Sequence, residues 1–135
     1  MSFEAQLLNK HILIVDDDTA LSESIKEVLV SRGFKNISRA YSISEGIDVF
    51  SVSHIDLIIL DVMLPDGEGY LLSQYVRKIS DIPILFLTAK NNPDDEIRGL
   101  DSGGDDYVTK PFLPKSLTYR IIALLRRAYK DESEL

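Results

Sequence analysis

A chain of 135 residues with 44% hydrophobic and 27% charged side chains has the material for one compact domain around one core. The absence of cysteine excludes disulfides and thiolate metal sites, and MSFEAQLLNK at the N-terminus has neither the basic start nor the apolar stretch of a signal peptide. No run approaches the ~18 apolar residues of a membrane span, so the cytoplasm is the expected compartment. The formal net charge of −7 argues against direct nucleic-acid binding by this chain.

Strand and helix signals alternate five times. Residues 1–9 read as an N-terminal extension, 10–129 as the domain, and 130–135 as a polar tail or the start of a linker. The apolar run 11–15 predicts a first strand, closed by three aspartates. Residues 19–32 predict a helix with Leu21, Ile25, Val28 and Leu29 in phase, and Gly33 suits the position just past its end. A weaker strand follows over 37–41. A short helix over 42–50 carries Ile43, Ile47 and Val49 or Phe50 inward, and Gly46 weakens it by ~1 kcal/mol. Residues 57–60 are wholly apolar, as in a strand buried on both faces. LPDGEG at 64–69 has loop chemistry. A third helix spans 70–79 with Leu71, Leu72, Tyr75, Val76 and Ile79 in phase, and a fourth strand spans 84–87. Pro93 suits the first turn of a fourth helix ending near Gly103 and Gly104. A brief strand over 106–108 precedes an amphipathic helix over 115–129, with Leu117, Ile121, Ile122, Leu124 and Leu125 on its apolar face.

Such alternation predicts a parallel sheet covered on both faces: an α/β, flavodoxin-like, doubly wound five-stranded sheet of order 2-1-3-4-5 with five helices. Ligands bind beyond the carboxyl ends of the strands in these sheets. The polar residues that interrupt the apolar pattern fall there: Asp16, Asp17 and Asp18 after strand one, Asp61 after strand three, Thr88 after strand four and Lys110 after strand five. Strands one and three are neighbours in that order, so Asp16, Asp17 and Asp61 crowd together. Two unit charges ~4 Å apart repel by ~4 kcal/mol at an effective dielectric of ~20. A proton or a hard divalent cation relieves this, and few carboxylates with retained waters suit Mg²⁺ better than Ca²⁺. Lys110 adds a fixed cation and Thr88 a hydroxyl donor. A nucleophile, a metal, a cation and a donor are the parts of phosphoryl transfer. Taken singly, each residue has a plainer role. Asp18 reads as the cap of the following helix, Asp61 equally as a cap or turn, Thr88 as a strand end and Lys110 as a solvated lysine. Their coincidence at one edge favours the functional reading. His11 and His54 have no partner pattern and read as structural or exposed.

At this point the residues resemble a family. ILIVDDD (12–18), LIILDVMLPDGEG (57–69), ILFLTAK (84–90) and GGDDYVTKPF (103–112) resemble the receiver domains of two-component response regulators. DDYVTKPF is most similar to the subfamily with a winged-helix DNA-binding output (OmpR/PhoB-type). The resemblance implies that Asp61 takes a phosphoryl group from a sensor histidine kinase, and that the domain then changes conformation. It implies Mg²⁺ held directly by Asp17 and Asp61, by Asp16 largely through water, and by the carbonyl of Met63. Lys110 would pair with a phosphoryl oxygen, and Thr88 would hydrogen-bond another. Ala89 would leave the phosphate accessible, Tyr107 would turn inward as Thr88 moves, and Lys110–Pro111 would be cis. The chain would be no conventional enzyme, catalysing only its own phosphorylation and its own dephosphorylation. The latter is expected to be slow, because Met63 and Lys90 flank the water's approach and neither can orient it by accepting a hydrogen bond.

Ile97, Leu100, Asp105, Asp106 and Arg120 fit the subfamily's dimer face, which implies a phosphorylation-dependent homodimer through helix four, strand five and helix five. Glu96 and Ser116 depart from the pattern and remove one intersubunit pair. Two other readings stay open at the level of sequence. A haloacid-dehalogenase-like phosphatase would use a D-x-D nucleophile, which Asp16 and Asp18 offer, although Asp105 and Asp106 precede Lys110 instead of following it. A degenerate receiver would serve only as a binding module.

Overall fold

The computed structural model describes residues 2–89, 97–98 and 101–130. In chain order the elements are α1 (Phe3–Leu8), β1 (His11–Val15), α2 (Thr19–Arg32), β2 (Asn36–Ala40), α3 (Ile43–Val52), β3 (Leu57–Asp61), β4 (Met63–Leu64), β5 (Gly67–Glu68), α4 (Tyr70–Arg77), β6 (Ile84–Thr88), β7 (Asp106–Thr109) and α5 (Pro114–Ala128). The helix expected after Pro93 falls largely outside the described residues; Ile97, Arg98 and Asp101 are helical.

Five strands form one parallel sheet of order β2-β1-β3-β6-β7, the expected 2-1-3-4-5 arrangement. Successive side chains in a strand point to opposite faces, so each apolar run feeds two cores. Ile12, Ile14, Leu57, Ile59, Leu85 and Leu87 pack with α1, α2 and α5. Leu13, Val15, Ile58, Leu60, Ile84 and Phe86 pack with α3 and α4. This is why the central strands read as continuous rather than alternating apolar runs.

The helices follow their local signals. Asp18 accepts from the Leu21 N–H at 3.0 Å and starts α2, which ends at Gly33 in the left-handed region (φ 109°). In α3, a Cβ on Gly46 would stand 2.8 Å from Leu72 Cδ2, so the helix exchanges propensity for close contact with α4. All five apolar residues expected inward on the last helix are buried in α5. The expected inward set of α4 needs correction: Tyr70, Leu72, Ser73 and Val76 are buried, whereas Leu71 and Ile79 are exposed. The helix stops at Arg77, whose guanidinium donates to the carbonyls of Gly103 at 2.9 Å and Ile82 at 2.6 Å, so Ile79 falls past the helix end.

Three short elements were not foreseen. The N-terminal extension contains α1, capped by Ser2, with Leu7 2% exposed in the core. Glu4 pairs with Arg126 at 3.3 Å, Lys10 Nζ lies 4.3 Å from the Tyr129 ring centroid, and the Tyr129 hydroxyl donates to Asp56 O at 2.6 Å. The stretch expected to be loop contains a hairpin, β4 against β5, closed over Pro65 and Asp66.

Candidate functional site

The carboxyl ends of β1, β3, β6 and β7 converge. Asp16 follows β1, and its backbone N–H continues the ladder to Ala40 O at 3.1 Å. Its carboxylate is fully buried, and Oδ1 accepts from the Asp18 N–H at 2.9 Å. Asp61 ends β3 and is 5% exposed. Asp61 Oδ1 accepts from the Met63 N–H at 3.1 Å. Lys110 Nζ donates to Asp61 Oδ2 at 3.0 Å and to Asp16 Oδ2 at 3.2 Å. Asp17 is exposed at the rim. One ligand oxygen from each of Asp16, Asp17 and Asp61 lies within 4.8 Å of the others.

Burial pushes the Asp16 carboxyl from the ordinary 3.8 up to about 6, and the charge of Asp61 pushes the same way. The Asp18 N–H and the Lys110 ammonium pull it down without prevailing, because one cation is shared between two acids. Burial alone would lower the Lys110 ammonium; the hydrogen bond and charge of Asp61, then those of Asp16, outweigh it and hold it above its usual value. Three acids facing one lysine are short of positive charge. Their donors are hard oxygens, two of them buried, which is the chemistry a hard divalent cation fits.

The remaining predicted residues are close by. Thr88 ends β6, fully buried, and its carbonyl accepts from the Lys110 N–H at 2.6 Å. Ala89 beside it is exposed. The Lys110–Pro111 bond is cis. Met63 is 54% exposed. Tyr107 pairs in register with Phe86 and packs, half-buried, against the α3–α4 side of the core. Lys90, Glu96 and Leu100 lie outside the described residues.

Of the residues assigned to the dimer face, Ile97 is 55% exposed, but Asp105 and Asp106 have partners within the chain. Asp105 meets Arg77 at 2.8 Å and accepts from the Ile84 N–H at 2.8 Å; Asp106 meets Arg120 at 3.2 Å. Both histidines are remote from the site: His11 bonds Ser38 at 2.7 Å, and exposed His54 meets Asp56 at 3.1 Å.

Two supporting residues escaped the sequence reading. A Cβ on Gly69 would stand 2.2 Å from the carbonyl oxygen of Asp61, so glycine is required by close approach there, at an ordinary φ of −57°. Asp66 accepts from the Ile43 N–H at 2.9 Å and the Ser44 N–H at 3.0 Å, and these bonds hold its carboxyl below the usual range. Pro-Asp-Gly was the available turn signal for the hairpin. The D-x-D reading fails on Asp18, whose carboxylate is committed to the cap of α2.

Comparison with known proteins agrees with this geometry. Residues 12–122 match the response regulator receiver domain family. The transcriptional regulatory protein YvrH of Bacillus subtilis (strain 168) is 44% identical over 124 residues, covering 92% of this chain and 52% of the relative. The chain thus spans about half the length of the curated relatives it matches. A two-component response regulator from Clostridium difficile superposes with a TM-score of 0.84 at 34% identity, covering 88% of this chain and 98% of that one. The response regulator DrrB, a Thermotoga maritima OmpR/PhoB homolog, superposes with a TM-score of 0.78 at 29% identity, covering 88% of this chain and 54% of that one. With a family match across most of its length and an acidic site at the switch point of a 2-1-3-4-5 sheet, the chain belongs to the response regulator receiver domains.

Proposed function

We propose that Asp61 is the phosphoacceptor, and that the domain switches conformation when it is phosphorylated. The observation that carries this is the shared contact of Lys110 with Asp61 at 3.0 Å and Asp16 at 3.2 Å, beneath an open rim at Ala89. A carboxylate oxygen of Asp61 attacks phosphorus. The bond from phosphorus to the donor nitrogen of a phosphohistidine, or to the oxygen of a small acyl phosphate, breaks, and that nitrogen or oxygen leaves with the electron pair. Lys110 follows the charge onto a phosphoryl oxygen, and Thr88 donates its hydroxyl to another. Mg²⁺ held by Asp16, Asp17, Asp61 and the carbonyl of Met63 would supply charge neutralisation on the transferring group.

An acyl phosphate adds about two negative charges where acids already crowd. Thr88 is drawn toward the new acceptor, and Tyr107 follows into the space it leaves. A ligand shifts such an equilibrium only by its differential affinity for the two states. The donor is a sensor histidine kinase in the cytoplasm. The controlled output is a winged-helix DNA-binding domain beyond the span of this chain, as the transcriptional regulators among its relatives suggest. Dimerisation through Ile97, Leu100, Asp105, Asp106 and Arg120 would require Asp106 and Arg120 to exchange their present partners.

The test is beryllofluoride with Mg²⁺, a stable mimic of the phosphorylated acid, followed by NMR of the Tyr107 ring and the Thr88 methyl. Both signals are expected to shift together in the wild type and to stay fixed in Asp61→Asn. Unchanged signals in the wild type would overturn the switch.

A further inference from the structure

We propose that Asp66 is a positioning residue for the chemistry at Asp61: it pins the hairpin that follows the acceptor to the first turn of α3 and thereby fixes Met63 beside the acceptor. The inference rests on the reading of Asp61 as phosphoacceptor and extends it to a residue that would touch neither phosphate nor metal.

The first N–H groups of a helix have no partner within it. In α3 these are supplied from two sources. Ser42, the local cap, accepts from the Glu45 N–H at 3.1 Å. Asp66, more than twenty residues later in the chain, takes the other two: Oδ1 accepts from Ile43 at 2.9 Å and Oδ2 from Ser44 at 3.0 Å. Both carboxylate oxygens are thus used, and an ionised acid at a helix N-terminus is favoured by the aligned peptide dipoles as well as by the hydrogen bonds. A second contact docks the same turn. Gly67, with φ +143°, approaches so closely that a Cβ there would stand 3.2 Å from Ile43 Cδ1. On its other side Glu68 meets Arg98 at 2.9 Å, an exposed pair and so the weaker tether.

The other end of this hairpin is at the site. Met63 pairs with Glu68 across the hairpin, and its N–H donates to Asp61 Oδ1 at 3.1 Å. Met63 therefore orients the acceptor oxygen through its N–H, and its carbonyl is the proposed backbone ligand. A two-residue ladder has little stability of its own. The base of the hairpin is held by the Val62 N–H on Leu87 O at 3.0 Å and the Gly69 N–H on Val62 O at 2.7 Å, and its tip by docking on α3, where Asp66 makes both charged hydrogen bonds.

The experiment measures labelling by acetyl phosphate as a function of Mg²⁺ concentration in the wild type, Asp66→Ala, Asp66→Asn, Ser42→Ala and Asp61→Asn, with thermal unfolding of each. Outer-shell groups of metal sites typically change affinity by about tenfold or more. Asp66→Ala is expected to raise the half-saturating Mg²⁺ concentration about tenfold while leaving the rate at saturation within about twofold. Asp66→Asn, which keeps one acceptor oxygen, is expected to recover part of the loss. Ser42→Ala weakens the same helix end without touching the hairpin, and its half-saturation is expected to stay at the wild-type value. If Ser42→Ala moves the half-saturation as far as Asp66→Ala does, the effect is helix stability and the positioning role is overturned. An unchanged half-saturation in Asp66→Ala overturns it equally. Failure of the wild type to label on Asp61 at all would instead overturn the underlying reading of the site.

Discussion

At the scale of single residues, the site is a competition between burial and charge, and Asp16 is where burial prevails. Its rise from 3.8 to about 6 corresponds to about 3 kcal/mol against the ionised form. The sign follows from linkage. The folded state binds this proton more tightly than the unfolded chain, so the ionised carboxyl opposes folding at neutral pH, and the opposition fades as pH falls through 6 toward 3.8. With divalent ions chelated, wild type compared with Asp16→Asn in urea is expected to gain about 1 kcal/mol between pH 7 and pH 5. A pH-independent difference, or one of opposite sign, would contradict the account. The four charged site residues were legible because each interrupts an apolar strand end, a one-dimensional signal. Gly69 and Asp66 were not: one matters through a backbone oxygen eight residues away, the other through a helix start more than twenty residues earlier. Nothing in the local pattern distinguishes them from ordinary loop residues.

At the scale of elements, β1, β3 and β6 were legible because each is an apolar run bounded by polar residues, whereas β2 (NISRA) and β7 (DYVT) carry polar residues and gave weaker signals. Hydrophobic periodicity misassigned Ile79, because α4 ends early where Arg77 captures backbone carbonyls, and Leu71, which lies inside α4 on its exposed face. It also passed over α1, whose six residues are too few for a periodic signal and whose helicity rests on tertiary packing. Leu7 is that packing, 2% exposed beside Phe34 and Ile122 at the amino ends of the strands, away from Asp61. Leu7→Ala is expected to lower stability by about 2–4 kcal/mol. Labelling of Asp61 at a temperature where the variant is folded is expected to stay unchanged. Chemical denaturation paired with a labelling rate checks both halves. A loss of labelling without a loss of stability would show that α1 acts on the site rather than on the core.

At the scale of the molecule, the proposed function is concentrated at the carboxyl edge of the sheet, and much of the remaining polar network among the described residues is structural. Arg77, Asp105, Tyr129 and Asp56 tie loops to strand ends far from the acceptor. The charge balance, net −7, includes the acids gathered at the site, where a phosphoryl group must be received. In the proposed reaction, electrostatic relief by Lys110 and a divalent ion would make that transfer feasible. The central claim is therefore that one particular carboxylate in this cluster becomes phosphorylated, and only with the metal present. The most direct measurement is the intact mass of the protein after incubation with acetyl phosphate, for wild type and Asp61→Asn, each with Mg²⁺ and with chelator. The account predicts a single added phosphoryl group on the wild type with Mg²⁺, and none in the other three samples. Equal labelling of Asp61→Asn, or no labelling of a folded wild type in millimolar Mg²⁺, would contradict it.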